Sequence, residues 1–204
     1  MHLVPTQDEV IQLLRSAGAL REGHFLYPNG MHSNQYLQVP LAFRYYQHAK
    51  TLSVGLSRLL RANPEIRAMI PELSIVTPAT GGLPVAFGVC EALRAKQVYW
   101  AERENENQAL RFRQFLEQHP GEKVLLVDDI LRTGKKLTEL KNLIEANGGE
   151  VVGLAVIVYQ PAPDTPDFGA LPFYYLAKLE SIYFSEGPLC DLSQPNAEPI
   201  KVWI

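Results

Sequence analysis

The stretch from 123 to 158 constrains the fold more than any other part of the chain. It opens with KVLLV at 123–127, apolar after its first residue. Residues 128–134 then read as a loop, 135–147 as a helix stopped by Gly148-Gly149, and 151–158 (VVGLAVIV) as a second apolar strand. Strands of a parallel sheet covered on both faces are apolar on both sides, as these two are. A strand, a crossover helix and a strand make a βαβ unit, so the chain is built on a parallel sheet.

The flanking sequence extends the pattern. Thr6-Gln7-Asp8-Glu9 has the form of a capping box, and Val10, Ile11, Leu14 and Ala17 follow at helical spacing up to Gly18. A second helix fits 48–62, with Leu52, Leu56, Leu59 and Leu60 on one face and Pro64 closing the region. LSIVT at 73–77 reads as a strand, Thr80-Gly81-Gly82 as a turn and 83–95 as a helix. QVYWA at 97–101 reads as a strand and 108–115 as a hairpin strand. The expected architecture is α/β: a mostly parallel twisted sheet flanked by helices. Ligands of such sheets sit beyond the carboxyl ends of strands, here at loops 78–82, 102–107 and 128–136. Beyond 160 the texture changes. Seven of the fifteen prolines fall in 161–204, where only 173–179 reads as a strand. This predicts a domain over 1–160 and a Pro-rich extension over 161–204 packing on that domain.

Composition narrows the function. With 204 residues the chain can bury a core without covalent staples. A net charge of −3 gives no electrostatic footprint for nucleic acid. No apolar run approaches the ~20 residues that span a bilayer, and 1–10 lacks the layout of a secretory signal. Two cysteines, Cys90 and Cys190, exclude a disulfide framework and a four-cysteine metal site within one chain. A cytoplasmic protein is expected.

The chemistry concentrates in VLLVDDILRTGKKL at 124–137. A strand delivers two adjacent carboxylates, Asp128 and Asp129, and a short loop through Thr133 and Gly134 opens a helix. The helix N-terminus presents unpaired N–H groups to a phosphate, Gly134 permits close approach, and Thr133 adds a hydroxyl. The carboxylates suit sugar hydroxyls and, through water, a magnesium ion. This arrangement resembles the 5-phosphoribosyl-1-pyrophosphate (PRPP) signature of the type I phosphoribosyltransferases. The resemblance implies that Asp128 and Asp129 contact the ribose hydroxyls and carry water-bridged Mg2+. It also implies that the Thr133-Gly134 loop cradles the 5-phosphate, with Arg132, Lys135 and Lys136 beside it. Lys135 and Lys136 stand where the family has small or hydroxyl residues. Residues 77–93 (TPATGGLPVAFGVCEAL) likewise follow a strand and open a helix. They resemble the family's pyrophosphate loop, with Ala79, Thr80, Gly81 and Gly82 as contacts; a strained or cis peptide there would match.

Residues 18–40 (GALREGHFLYPNGMHSNQYLQVP) are similar to the orotate phosphoribosyltransferases in placing an aromatic residue, a Gly turn, a Ser and a Tyr at fixed spacing. The resemblance implies a small N-terminal hood over about 1–45. Phe25, Tyr27, Asn29, Gly30, Ser33 and Tyr36 would then hold the base. It further implies a mobile basic loop, here 99–115, in which Arg103 meets pyrophosphate, and a homodimer that completes each site. The loop lacks the family's lysine. Three readings therefore follow: transfer of phosphoribose from PRPP to orotate, transfer to another base, or a PRPP-binding regulatory protein without robust catalysis. No residue is expected to act as a covalent nucleophile.

Overall fold

The computed structural model describes residues 4–28, 30–105, 108–162, 165–180, 183–184 and 198–202. Helix α1 (Gln7–Ser16) starts at Thr6, whose hydroxyl accepts from the Glu9 N–H while the Glu9 carboxylate accepts from the Thr6 N–H. This is the reciprocal cap that the sequence predicts. Strands β1 (Leu20–Leu26) and β2 (His32–Leu37) form an antiparallel hairpin. Helices α2 (Pro40–Phe43), α3 (Tyr46–Ala62) and α4 (Pro64–Met69) follow, and Asn63 caps α4.

The alternating part comes next: β3 (Ser74–Pro78), α5 (Leu83–Leu93), β4 (Gln97–Glu102), the two-residue β5 (Arg111–Phe112), β6 (Lys123–Leu131), α6 (Lys135–Ala146) and β7 (Glu150–Tyr159). Then come β8 (Phe173–Lys178), β9 (Tyr183–Phe184) and β10 (Ile200–Lys201). The main sheet has the order β5-β4-β3-β6-β7-β8, and every neighbouring pair is parallel except β4 with β5. A second sheet, β10-β1-β2-β9, forms the hood.

The central strands β3, β6 and β7 bury both faces, successive side chains pointing to opposite sides. From β6, Leu125 and Val127 pack with Leu14 of α1, Leu52 and Leu56 of α3 and Val89 of α5. Val124 and Leu126 point the other way, to Leu137, Leu140 and Ile144 of α6. The result is an α/β sandwich, with helices on both faces and the carboxyl ends of β3 and β6 side by side.

Two expectations change. The loop expected from 128 begins later, because β6 keeps pairing with β7 through Asp128, Ile130 and Leu131. The hairpin strand expected over 108–115 is reduced to two residues. Residues 20–26 and 32–37, with no clear alternation of their own, are strands through pairing. Of the segment beyond 160, β8 is the edge strand of the main sheet and β10 pairs with β1.

Candidate functional site

Two loops meet at the carboxyl ends of β3 and β6. A Cβ on Gly81 would sit 3.1 Å from both carboxylate oxygens of Asp129. One on Gly82 would sit 2.0 Å from Thr77 Oγ1 and 2.7 Å from Asp128 Oδ1. Only glycine lets the 79–82 backbone lie this close to the carboxylates. The Ala79–Thr80 peptide is cis, as the resemblance implies, and Ala79 N–H donates to the Ala101 carbonyl at 2.9 Å. Asp128 Oδ1 accepts from the Asp129 N–H at 2.9 Å.

Burial, then the neighbouring Asp129 carboxylate, raises the Asp128 pKa well above the usual carboxylate range; Lys136 opposes the rise. Burial also raises that of Asp129, opposed in part by Arg132 and Lys136. Neither carboxylate makes an ion pair among the described residues. A desolvated pair of carboxylates with no ion-pair partner favours a cation or hydroxyl donors. No group of three or more His, Cys, Asp or Glu side chains could hold a metal among the described residues. The site thus offers a hard cation at most one or two carboxylates, the remaining ligands falling to water or a bound anion.

The loop after β6 turns at Gly134, φ 68°, into the N-terminus of α6. It is braced from above: a Cβ on Gly134 would meet Pro166 ring carbons at 2.8–2.9 Å, and Thr165 Oγ1 donates to the Arg132 carbonyl. A cleft of about 580 Å³ runs between Asp128-Asp129, residues 132–136, residues 79–81 and Tyr36, Gln38 and Pro40 of the hood side.

The cleft thus gathers Ala79, Thr80, Gly81, Asp128, Asp129, Arg132, Thr133, Gly134, Lys135, Lys136 and Tyr36. Gly82 lies buried beneath it. Other expected residues stand apart. Arg103 Nη2 donates to Glu139 Oε2 at 2.6 Å, and the Leu110 N–H donates to Glu139 Oε1 at 2.5 Å, so both arms of the 103–110 turn are tied to α6. Phe25 is buried and lies against Tyr36, ring centroids 5.7 Å apart. Ser33 is buried and its hydroxyl accepts from the Gln35 N–H. Gly30 is exposed at the hairpin turn, and Asn29 lies outside the described residues. Tyr27 is buried with its ring 5.8 Å from the Arg132 guanidinium. Gln38 and Pro40 line the cleft without having been expected, and Gln160 meets Arg132 there. The end of β7 was a place to look for Gln160, since ligands gather at carboxyl ends of strands.

Comparison with known proteins bears on the family and the fold. The model of the phosphoribosyl transferase domain matches residues 65–170. The chain is 36% identical over 193 residues to the orotate phosphoribosyltransferase of Carboxydothermus hydrogenoformans, covering 94% of this chain and 96% of that one. It is 33% identical over 196 residues to that of Heliobacterium modesticaldum, covering 95% and 97%. The crystal structure of orotate phosphoribosyltransferase from Aeropyrum pernix shares the fold, with a TM-score of 0.67 at 19% identity over 83% of this chain and 93% of that one.

Proposed function

The chain belongs to the type I phosphoribosyltransferase family and is most like its orotate phosphoribosyltransferases, and on that premise we propose that it transfers the 5-phosphoribosyl group of PRPP to orotate. The products are orotidine 5-phosphate and pyrophosphate, a step of pyrimidine nucleotide synthesis. The observation that carries the reading is the contact of the two glycine-lined loops at a desolvated carboxylate pair.

A ring nitrogen of the base gives up its N–H proton to water and donates its lone pair to the anomeric carbon of PRPP. The carbon–oxygen bond to pyrophosphate breaks, and that electron pair leaves with pyrophosphate. Asp128 and Asp129 hold the ribose hydroxyls and offset positive character on the reacting carbon. The amides of 79–82 face the charge growing on the leaving group. Thr133, Gly134 and the first amides of α6 hold the 5-phosphate, with Lys135 and Lys136 adding charge. Asp128 and Asp129 would hold a magnesium ion, which would supply charge neutralisation to the leaving group. Holding both reactants in one cleft removes much of the entropic barrier. Arg103 reaches pyrophosphate only after leaving Glu139.

We extend the reading to a cytoplasmic homodimer. Among the described residues no helix is long and apolar enough to cross a membrane. Tyr45, Tyr46 and Phe87 expose large apolar area of the kind a second copy covers. Light scattering on the purified chain checks the mass.

The activity test follows orotate absorbance with PRPP and magnesium, beside adenine, guanine, hypoxanthine and uracil. Turnover with orotate on the order of 1–10³ per second is expected. Turnover with another base instead would move the chain to a different branch. PRPP binding without any turnover would leave a regulatory protein.

A further inference from the structure

The base in this reading carries a carboxylate. Such a group, drawn out of water into a cleft, needs a cation or several N–H donors. Three cationic side chains line the cleft: Arg132, Lys135 and Lys136. The lysines are exposed at the start of α6, beside the amides assigned to the 5-phosphate.

Arg132 is fastened elsewhere. Its Nε donates to Gln160 Oε1 at 2.7 Å, its Nη2 donates to the Leu37 carbonyl at 3.3 Å, and its guanidinium lies 5.8 Å from the Tyr27 ring. Leu37 and Tyr27 belong to the hood. Gln160 follows β7 and is itself buried, with its N–H on the Leu131 carbonyl. The main chain of Arg132 is pinned as well, its carbonyl accepting from Thr165. The guanidinium is therefore immobilised where hood and sheet meet, at the edge of the cleft. Two of its five N–H groups are used, and Nη1 has no protein acceptor among the described residues. A planar guanidinium fixed along one edge presents the other as a fork for a carboxylate.

We propose that Arg132 binds the carboxylate of the pyrimidine base and so sets base specificity, with Gln160 as the positioning residue that fixes the guanidinium plane. The proposal rests on the orotate reading and gives Arg132 a role other than phosphate contact. Gln160 offers no charge of its own; it aligns the residue that does.

The test compares calorimetric binding of orotidine 5-phosphate with that of uridine 5-phosphate, which lacks only the carboxylate. R132Q should weaken orotidine 5-phosphate by about 10- to 150-fold, the range for a hydrogen bond to a charged group. Binding of uridine 5-phosphate should be unchanged. R132K, which keeps the charge and loses the fork, should show a smaller loss with the same selectivity, and it carries the test should R132Q fail to fold. Q160L should raise the KM for orotate at unchanged kcat, and its effect should vanish in the R132Q background. Equal weakening of both nucleotides would make Arg132 a phosphate or scaffold residue and overturn the proposal, as would no weakening of either. The orotate reading fails separately, in the wild-type assay, if another base is turned over in its place.

Discussion

Replacing Gly82 with alanine tests the contact on which the site assignment rests. The backbone there is unstrained, φ −72° and ψ −18°, so alanine adopts it freely. The collision is with neighbours. The new Cβ would lie 2.0 Å from Thr77 Oγ1, 2.7 Å from Asp128 Oδ1 and 3.3 Å from Asp128 Cα. Ordinary contact begins at about 3.4 Å, so Thr77 alone must yield by more than about 1 Å. Thr77 is fully buried, and turning a β-branched side chain swaps its hydroxyl for a methyl group. The backbone of Asp128 is fixed by pairing with Val156. Relief must come from the 79–82 loop or from the Asp128 carboxylate, each displaced from where the reaction needs it. A misplacement of about 1 Å in a catalytic constellation costs on the order of 10²-fold in rate. Overpacking adds about 1–3 kcal/mol of lost stability. Steady-state kcat/KM for orotate and a thermal melt measure both. Gly81→Ala is the internal comparison: its Cβ meets only the movable end of Asp129, at 3.1 Å, and should cost less. Wild-type kcat/KM and Tm in Gly82→Ala, or a larger loss in Gly81→Ala, would refute the close packing of loop on carboxylates.

Asp128→Asn should abolish turnover yet stabilise the ligand-free protein. Burial holds the folded pKa above the unfolded one, so the wild type loses stability as pH rises from about 4 toward the raised folded value. The variant's Tm advantage should therefore be near zero in acid and grow toward neutral pH; an advantage independent of pH would contradict this cause. Thr6→Ala removes the hydroxyl half of the cap on α1, leaving the Glu9 carboxylate on the residue-6 N–H, and should lower stability by about 1 kcal/mol in a denaturant titration. Leu126→Ala opens a cavity between β6 and α6, and a loss of about 2–5 kcal/mol is expected by the same titration. Glu139→Ala releases both Arg103 and the Leu110 N–H, so trypsin should cut the 103–113 segment faster at unchanged Tm.

What could be read from the sequence, and what could not, divides by how far apart the partners lie. The carboxylate pair, the turn at Gly134 and the helix after it are neighbours in the chain. Their chemistry dictates their order, and the strand–loop–helix text carries it whole. The glycines at 81 and 82 were legible as a phosphate-binding turn, although their contact with Asp128 and Asp129 crosses 46 to 48 positions. The hood strands gave no such signal. LREGHFL at 20–26 buries only its first residue and Phe25, and it is a strand because β2 and, from the far end of the chain, β10 pair with it. The resemblance implies Phe25 and Ser33 as base contacts; each spends its side chain inside the hood.

Arg103 and Arg132 make the same point about charge. The resemblance implies Arg103 at pyrophosphate and Arg132 beside the 5-phosphate loop. Each instead has a specific protein partner that no local pattern reveals, Glu139 on α6 for one and Gln160 after β7 for the other. The two partners differ in kind, and the consequence follows from charge. Glu139 neutralises Arg103, so that arginine serves the reaction only by giving up an ion pair. Gln160 orients Arg132 through a neutral amide, and the Asp129 carboxylate, which makes no ion pair with it among the described residues, offsets its charge only in part. A positive group that is held still and not neutralised is the better preorganised receptor for an anion, because little ordering remains to be done when the ligand arrives. That difference, rather than proximity to phosphate, assigns Arg132 to recognition and Arg103 to a step that must first break its tie to α6.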